Sequence, residues 1–309
     1  MKKIALSVHQ LVDFLFRSGD IDNRVFNNET MAEGSKLHKQ FQLINEANAE
    51  SEVEVSHEFV YRDYDIILKG YIDGVNSNSN IPTIIEVKTS VLNVEKFHEE
   101  NKEWHLNQAI CYSYMFLKKR KLKKCLIKIV YFKQRISLNK QKPFIVTFDF
   151  SINELEKLMY SFLDEYIDFF NVVENNKIER NESAKNLIFP YPELREGQQK
   201  FIDVCEDKIV RTGPVVVEAP TGVGKTISAL YPSVKSYYSL DTDQVFYLTA
   251  KNSGKAIAFD SCKVLAASGF RGSYIVVTAK DKICMNQKRM CNPDACPYTI
   301  GYYKKILNN

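Results

Sequence analysis

The sequence predicts an α/β protein in two parts: a mixed sheet flanked by helices, then a parallel α/β sheet built around a phosphate-binding loop. Three observations predict it. Strand-like segments and amphipathic helices fill the first 174 residues, a polar stretch follows at 175–186, and from 187 to 309 short apolar strands alternate with helices around a Gly-rich turn.

The elements of the first part follow in order. Ser7 is placed to cap a helix running to Phe16, and a second helix from about Asn28 to Asn48 carries Leu37, Phe41 and Ile44 on one stripe, with His38 among them. Strands are expected at Val53 to Tyr61, Tyr64 to Ile72 and Thr83 to Thr89, the last two separated by an Asn-Ser turn. A helix from about Glu103 to Lys119 comes next. Strands at Cys125 to Phe132 and Pro143 to Phe150 precede a long helix from Ser151 to about Val173.

The segment from Glu174 to Asn186 holds one large apolar residue, so it reads as an exposed linker. Beyond it the pattern is strand at Val215 to Glu218, turn, helix from Lys225 to about Tyr237, strand at Gln244 to Thr249, helix from Gly254 to Ala267 and strand at Ser273 to Thr278. Such alternation builds a parallel sheet.

Composition limits the function classes. With 309 residues, 45% hydrophobic and 26% charged, the chain is neither disordered nor collagen-like. No uncharged apolar run approaches the roughly 20 residues that span a bilayer, and the start is too short in apolar residues for a signal peptide. A cytoplasmic protein without a membrane partner is expected. The net charge of +4 combines an excess of one acidic side chain up to residue 180 with an excess of five basic ones after it. Seven cysteines in such a chain argue against a disulfide framework, and three of them, Cys284, Cys291 and Cys296, crowd the last 26 residues.

Two constellations carry chemistry. Gly70-Tyr-Ile-Asp73-Gly74 ends one strand, and Ile84-Ile-Glu86-Val87-Lys88 lies on the next, so Glu86 and Lys88 face the same side. Two carboxylates can hold Mg²⁺ or Mn²⁺ against a phosphate while a lysine orients water or stabilises charge. The second constellation, Glu218-Ala-Pro-Thr-Gly-Val-Gly-Lys-Thr226, fits the phosphate-loop pattern except for Ala219 at the first glycine. There the backbone from Thr221 through Gly222 and Gly224 would wrap phosphates, Lys225 would reach the outer ones, and the Thr226 hydroxyl would bind Mg²⁺. The three late cysteines, among turn-forming residues, could take zinc or an iron-sulfur cluster, with a fourth ligand lacking after Cys296. The run Lys118 to Lys124 reads either as a phosphate-tracking patch or as a solvated helix end.

These residues resemble two families. Over about residues 1 to 150 the chain resembles the RecB-like branch of the PD-(D/E)xK nucleases, with Gly34-Ser-Lys-Leu-His38 matching an extra histidine ligand and Gln108-Ala-Ile-Cys-Tyr112 a Q-x-x-x-Y helix motif. The resemblance implies a restriction-endonuclease-like fold in which Asp73, Glu86 and His38 bind metal, Lys88 is catalytic, and Gln108 and Tyr112 touch DNA. Residues 187 to about 305 resemble the opening of an iron-sulfur superfamily 2 DNA helicase of the XPD/DinG type, through Phe189-Pro-Tyr-Pro-Glu-Leu-Arg-Glu-Gly-Gln198, the phosphate loop and Leu248-Thr-Ala-Lys251. That implies a partial RecA-like domain binding ATP, with Arg195 and Gln198 near the base. It also implies Cys284, Cys291 and Cys296 as an incomplete ligand set for a 4Fe–4S cluster.

The expected protein is therefore a nuclease-helicase, with a nuclease domain at 1–174, a linker at 175–186 and a partial motor at 187–309. Its substrate would be DNA that is single-stranded or has free ends, and the rest of the motor would lie on a separate or lost segment. The competing expectations are a DNA-binding module with a degenerate nuclease and a nucleotide-binding-only motor, and an ATPase completed by a second chain.

Overall fold

A computed structural model describes residues 2–24, 32–34, 36–37, 39–41, 50–78 and 80–307. The chain divides into two compact units, residues 1–167 together with 284–309, and residues 168–283.

The first unit is built on one six-stranded sheet. Strand β1 (Lys2–Ser7) leads directly into helix α1 (Val8–Phe16). Ser7 caps that helix as its sequence suggests: its hydroxyl accepts from the Gln10 N–H while the Gln10 side chain accepts from the Ser7 N–H. Strands β2 (Glu50–Tyr61), β3 (Tyr64–Asn76) and β4 (Thr83–Ser90) form the expected meander, followed by helix α2 (Val94–Arg120), β5 (Lys124–Lys133), β6 (Phe144–Ser151) and helix α3 (Ile152–Lys185). The sheet is mixed, since β1 with β3 and β4 with β5 are parallel, whereas β2–β3, β3–β4 and β5–β6 are antiparallel.

Pairing along β3 creates an opening. One edge of β3 pairs with β2 over almost its whole length. The other edge is shared, with β1 taking Tyr64 to Lys69 and β4 taking only Gly74 to Asn76. Residues 70–73 of β3 thus have no strand on that edge. Alternation sends Ile85 and Val87 into an apolar cluster with Val130 and Phe132, which Phe41 also joins. Glu86 and Lys88 face the other way.

Helix α3 corrects the expected linker, because residues 175–185 are helical. One apolar residue in thirteen does signal solvent exposure, and Ile178 is indeed exposed. Exposure does not preclude a helix, however, and this one runs to Lys185 with Ala184 buried in its last turn.

The second unit holds α4 (Gln198–Arg211), α5 (Lys225–Ser239) and α6 (Asn252–Ala267), whose apolar faces meet in a core of Leu187, Ile202, Leu230, Val234 and Leu265 among others. The expected parallel sheet is not formed among the described residues. Segments 215–218, 244–249 and 273–278 contain no assigned strand, and Val216, Leu248 and Ile275 are exposed. A strand gains its backbone hydrogen bonds only from a neighbour, so β-prone sequence alone does not make a ladder.

Residues 284–309 group with the first unit rather than with the phosphate loop. The Ile21 N–H donates to the Thr299 carbonyl and the Asn23 N–H to that of Cys291, while Arg24 bridges Asp22 and Asp294. No helix among the described residues is long and apolar enough to cross a membrane.

Candidate active site

The opening beside residues 70–73 gathers the carboxylates and the lysine. Where β3 and β4 part, just past the Gly74–Ile85 pair, the Asp73 carboxylate accepts the Val87 N–H at 2.7 Å. Asp73 is thereby fixed to the strand that carries Glu86. Glu86 is 3% exposed, and the Lys88 ammonium donates to its Oε1 at 2.7 Å. A carboxylate this buried is tolerable because the charge is paired.

Helix α2 completes the constellation from above β4. The Lys88 ammonium also donates to Gln108 Oε1 at 2.6 Å, and the Gln108 amide N–H in turn lies 3.2 Å from the Tyr112 hydroxyl. The Gln and Tyr of the helix motif, one turn apart, therefore form a polar bracket behind Lys88. Tyr112 packs here because residue 70 is glycine; a Cβ at that position would stand 2.5 Å from Tyr112 Cε1. Burial and the nearby Glu86 raise the Tyr112 phenol above its ordinary range, so it stays protonated.

Gln108 and Tyr112 are each 2% exposed. In this structure the two residues for which the resemblance implies a DNA contact support Lys88, Gln108 directly and Tyr112 through Gln108. His38, the fourth expected site residue, lies outside the described residues; its neighbours Gly34 and Leu37 are buried. His9 belongs to no sequence motif, yet its Nε2 lies 3.3 Å from Gln108 Nε2. Burial and the Lys88 charge lower its pKa, against the pull of Asp13 and Asp73. No motif marks it, and only the parallel pairing of β1 with β3 brings α1 to the opening.

Two hard oxygen donors, Asp73 and Glu86, fit Mg²⁺ or Mn²⁺, with the Val87 carbonyl on the strand between Glu86 and Lys88. They are two rather than three: no group of three His, Cys, Asp or Glu side chains gathers among the described residues. That bears also on the late cysteines. Cys291 and Cys296 are buried and Cys284 is half-buried, and the Cys284 and Cys291 thiols sit 3.5 Å from the Asn286 carbonyl and 3.7 Å from that of Arg289. Among the described residues the three cysteines do not gather into one group, and two of the thiols face carbonyls of their own loop.

In the second unit the segment that fits the phosphate-loop pattern is a glycine turn leading into a helix. Gly222 and Gly224 both have positive φ, and α5 begins at Lys225. The Lys225 ammonium donates to the Ala219 and Pro220 carbonyls at 3.0 and 2.8 Å. Arg195 donates to the Gly222 carbonyl, and Gln198, buried, reaches the Ser228 hydroxyl at 3.1 Å, so both flank the loop. Thr221 is exposed, and the Thr226 hydroxyl is 3.5 Å from that of Tyr247.

A mixed sheet forked at two carboxylates and a lysine defines the class, a hydrolase of the nuclease type. The superfamily profile of PD-(D/E)XK nucleases matches residues 8–196, and the chain belongs to that superfamily. Among solved structures it is similar to SSO0001 (TM-score 0.32, 16% identity, 53% of this chain and 76% of that one) and to an alkaline exonuclease from Laribacter hongkongensis (0.31, 12%, 55% and 92%). A phage-related exonuclease from Haemophilus somnus 129PT is similar at TM-score 0.29 and 15% identity, over 53% of this chain and 82% of that one. A stretch of 61 residues is 39% identical to the probable ATP-dependent helicase MJ0942 of Methanocaldococcus jannaschii, covering 20% of this chain and 9% of that relative.

Proposed function

We propose that Asp73, Glu86 and Lys88 form the catalytic centre of a metal-dependent DNA nuclease acting on single strands or free ends. The observation that carries this is their convergence at the fork of β3 and β4, with Lys88 held between Glu86 and Gln108. Asp73 and Glu86 would hold Mg²⁺ or Mn²⁺, typical of this superfamily, and the bound ion would supply charge neutralisation and a more acidic water. His38 would complete the metal site. Lys88 would stabilise the charge that develops on the attacked phosphate, a task for which an ammonium fixed by two acceptors is pre-organised. The purified chain with Mn²⁺ should cut single-stranded DNA, and Glu86→Ala or Lys88→Ala should slow cutting by about a hundredfold or more. Intact DNA with the wild type, or undiminished cutting by Glu86→Ala, defeats the assignment.

The phosphate loop supports a further reading, ATP binding by a motor of the DinG/XPD type in which Lys225 and Thr226 hold phosphates and Mg²⁺ and Arg195 and Gln198 lie near the base. The partial likeness to a probable ATP-dependent helicase points the same way. ATP binding should be lost in Lys225→Ala, whereas unwinding is a matter for the whole protein.

A further inference from the structure

The opening in the sheet is bordered on one side by α1, and two polar links tie that helix to α2. Trp104 Nε1 donates to Asp13 Oδ1 at 2.9 Å, and one turn along each helix the Gln108 amide meets His9. Because Gln108 Oε1 is committed to the Lys88 ammonium, its amide nitrogen faces His9 as a donor, so His9 Nε2 accepts. A neutral imidazole that accepts at Nε2 carries its proton on Nδ1. Among the described residues that Nδ1 has no partner, and His9 is open to solvent on one side while the side toward Gln108 is covered. It sits in the first turn of α1, a turn without an acidic residue, with Asp13 one turn further on and Asp73 nearby. A donor so placed, beside Lys88 and at the positive end of a helix, is matched to an anion.

We propose that His9 is a substrate-binding residue of the nuclease site, donating its Nδ1–H to a non-bridging phosphate oxygen of the DNA strand held at Asp73, Glu86 and Lys88. This rests on the nuclease reading of that centre. Gln108 then serves twice, positioning Lys88 with its oxygen and fixing the His9 tautomer with its nitrogen. The alternative, that His9 matters only as a prop for Gln108, differs in what it does to the kinetics. Removing a hydrogen bond to the phosphate raises KM, whereas displacing Lys88 lowers kcat.

The test is steady-state cleavage of a labelled single-stranded oligonucleotide with Mn²⁺ by the full chain and its variants. His9→Ala should raise KM about tenfold, a typical result for losing one hydrogen bond to a charged group. His9→Leu, which keeps the volume, should do the same and serves where His9→Ala fails to fold. His9→Arg should bring KM back to the wild-type value or below it, with a steeper dependence on salt. The proposal is overturned if KM in the Ala or Leu variant stays within about twofold of wild type, if kcat falls with KM intact, or if arginine does not restore KM. Should Glu86→Ala cut as well as wild type, the nuclease reading fails and the His9–phosphate bond falls with it. If Glu86→Ala is inactive while KM ignores residue 9, the His9–phosphate bond alone is wrong.

Discussion

Strand β4 and the segment 215–218 start from similar sequence, a run of β-branched residues leading into charged or Gly-rich functional positions, and end in opposite states. Val87 is 1% exposed, hydrogen-bonded into a ladder with β5 and packed on Val130 and Phe132. Val216 is 98% exposed and lies in no strand. The difference lies in partners. β4 has β5 alongside for eight residues and helix α2 packed against it, whereas 215–218, 244–249 and 273–278 have no strand partner among the described residues to turn β propensity into hydrogen bonds.

Hydrogen exchange should display the largest contrast. The amides of Ile84 to Val87 should exchange on the order of 10⁴ times more slowly than an unprotected chain, since opening them requires breaking the sheet. Those of Val215 to Val217 and Phe246 to Leu248 should exchange almost unprotected. Equal protection in both sets would mean that the second unit builds its own ladder in solution, and the comparison would collapse.

Glycines sharpen the same contrast at a smaller scale. Gly70 lies where Tyr112 crosses β3, and a Cβ there would stand 2.5 Å from Tyr112 Cε1 and 3.3 Å from Val8 Cγ2. A Cβ on Gly213, just ahead of the exposed valines, would meet nothing within 4 Å. Gly70→Ala should therefore cost about 1–3 kcal/mol through overpacking and, by moving Tyr112 and Gln108, impair cleavage. Gly213→Ala should change stability by less than about 0.5 kcal/mol. Denaturant melts with a cleavage assay distinguish them; a neutral Gly70→Ala would show that the opening is looser than these distances imply.

Much of the first unit was legible because its signals are local. The Ser7 cap, the alternation that puts Glu86 and Lys88 on one face, and the three strands of the meander follow from residues close in sequence, although β2 starts at Glu50 rather than Val53 and β3 runs past Ile72 to Asn76, so that Asp73 lies within the strand. The parallel pairing of β1 with β3 was not, because it joins Lys2 to Tyr64 across a sequence gap that carries no turn signal. With it was lost the place of His9. Gln108 and Tyr112 were found by their spacing, but spacing shows that two side chains share a helix face and not whether that face meets solvent or Lys88. In the second unit the Gly222–Gly224 turn and the helix that starts at Lys225 need only their own residues. The sheet around it needs neighbours that no local pattern can supply.

The smallest effect concerns pH, and it separates the units because all five histidines precede residue 168. His98 and His105 are buried, and each places Nδ1 within 3.0 Å of the Tyr131 hydroxyl. That hydroxyl has one proton, so it donates to one ring and accepts from the other, which leaves at least the accepting ring neutral. Burial depresses the pKa of both, that of His105 far below its ordinary 6.5. The unfolded chain takes up protons below about pH 6.5 that the folded unit refuses, so the stability present at neutral pH is lost as pH falls through that value. The slope is at most about 1.4 kcal/mol per pH unit for each ring. Melting between pH 7 and pH 5.5 should weaken the unit containing the sheet and leave residues 168–283 almost unmoved, and His105→Gln should flatten the slope. Parallel acid loss in both units, or an unchanged slope in His105→Gln, would assign the acid sensitivity to carboxylates common to both rather than to the pair on Tyr131.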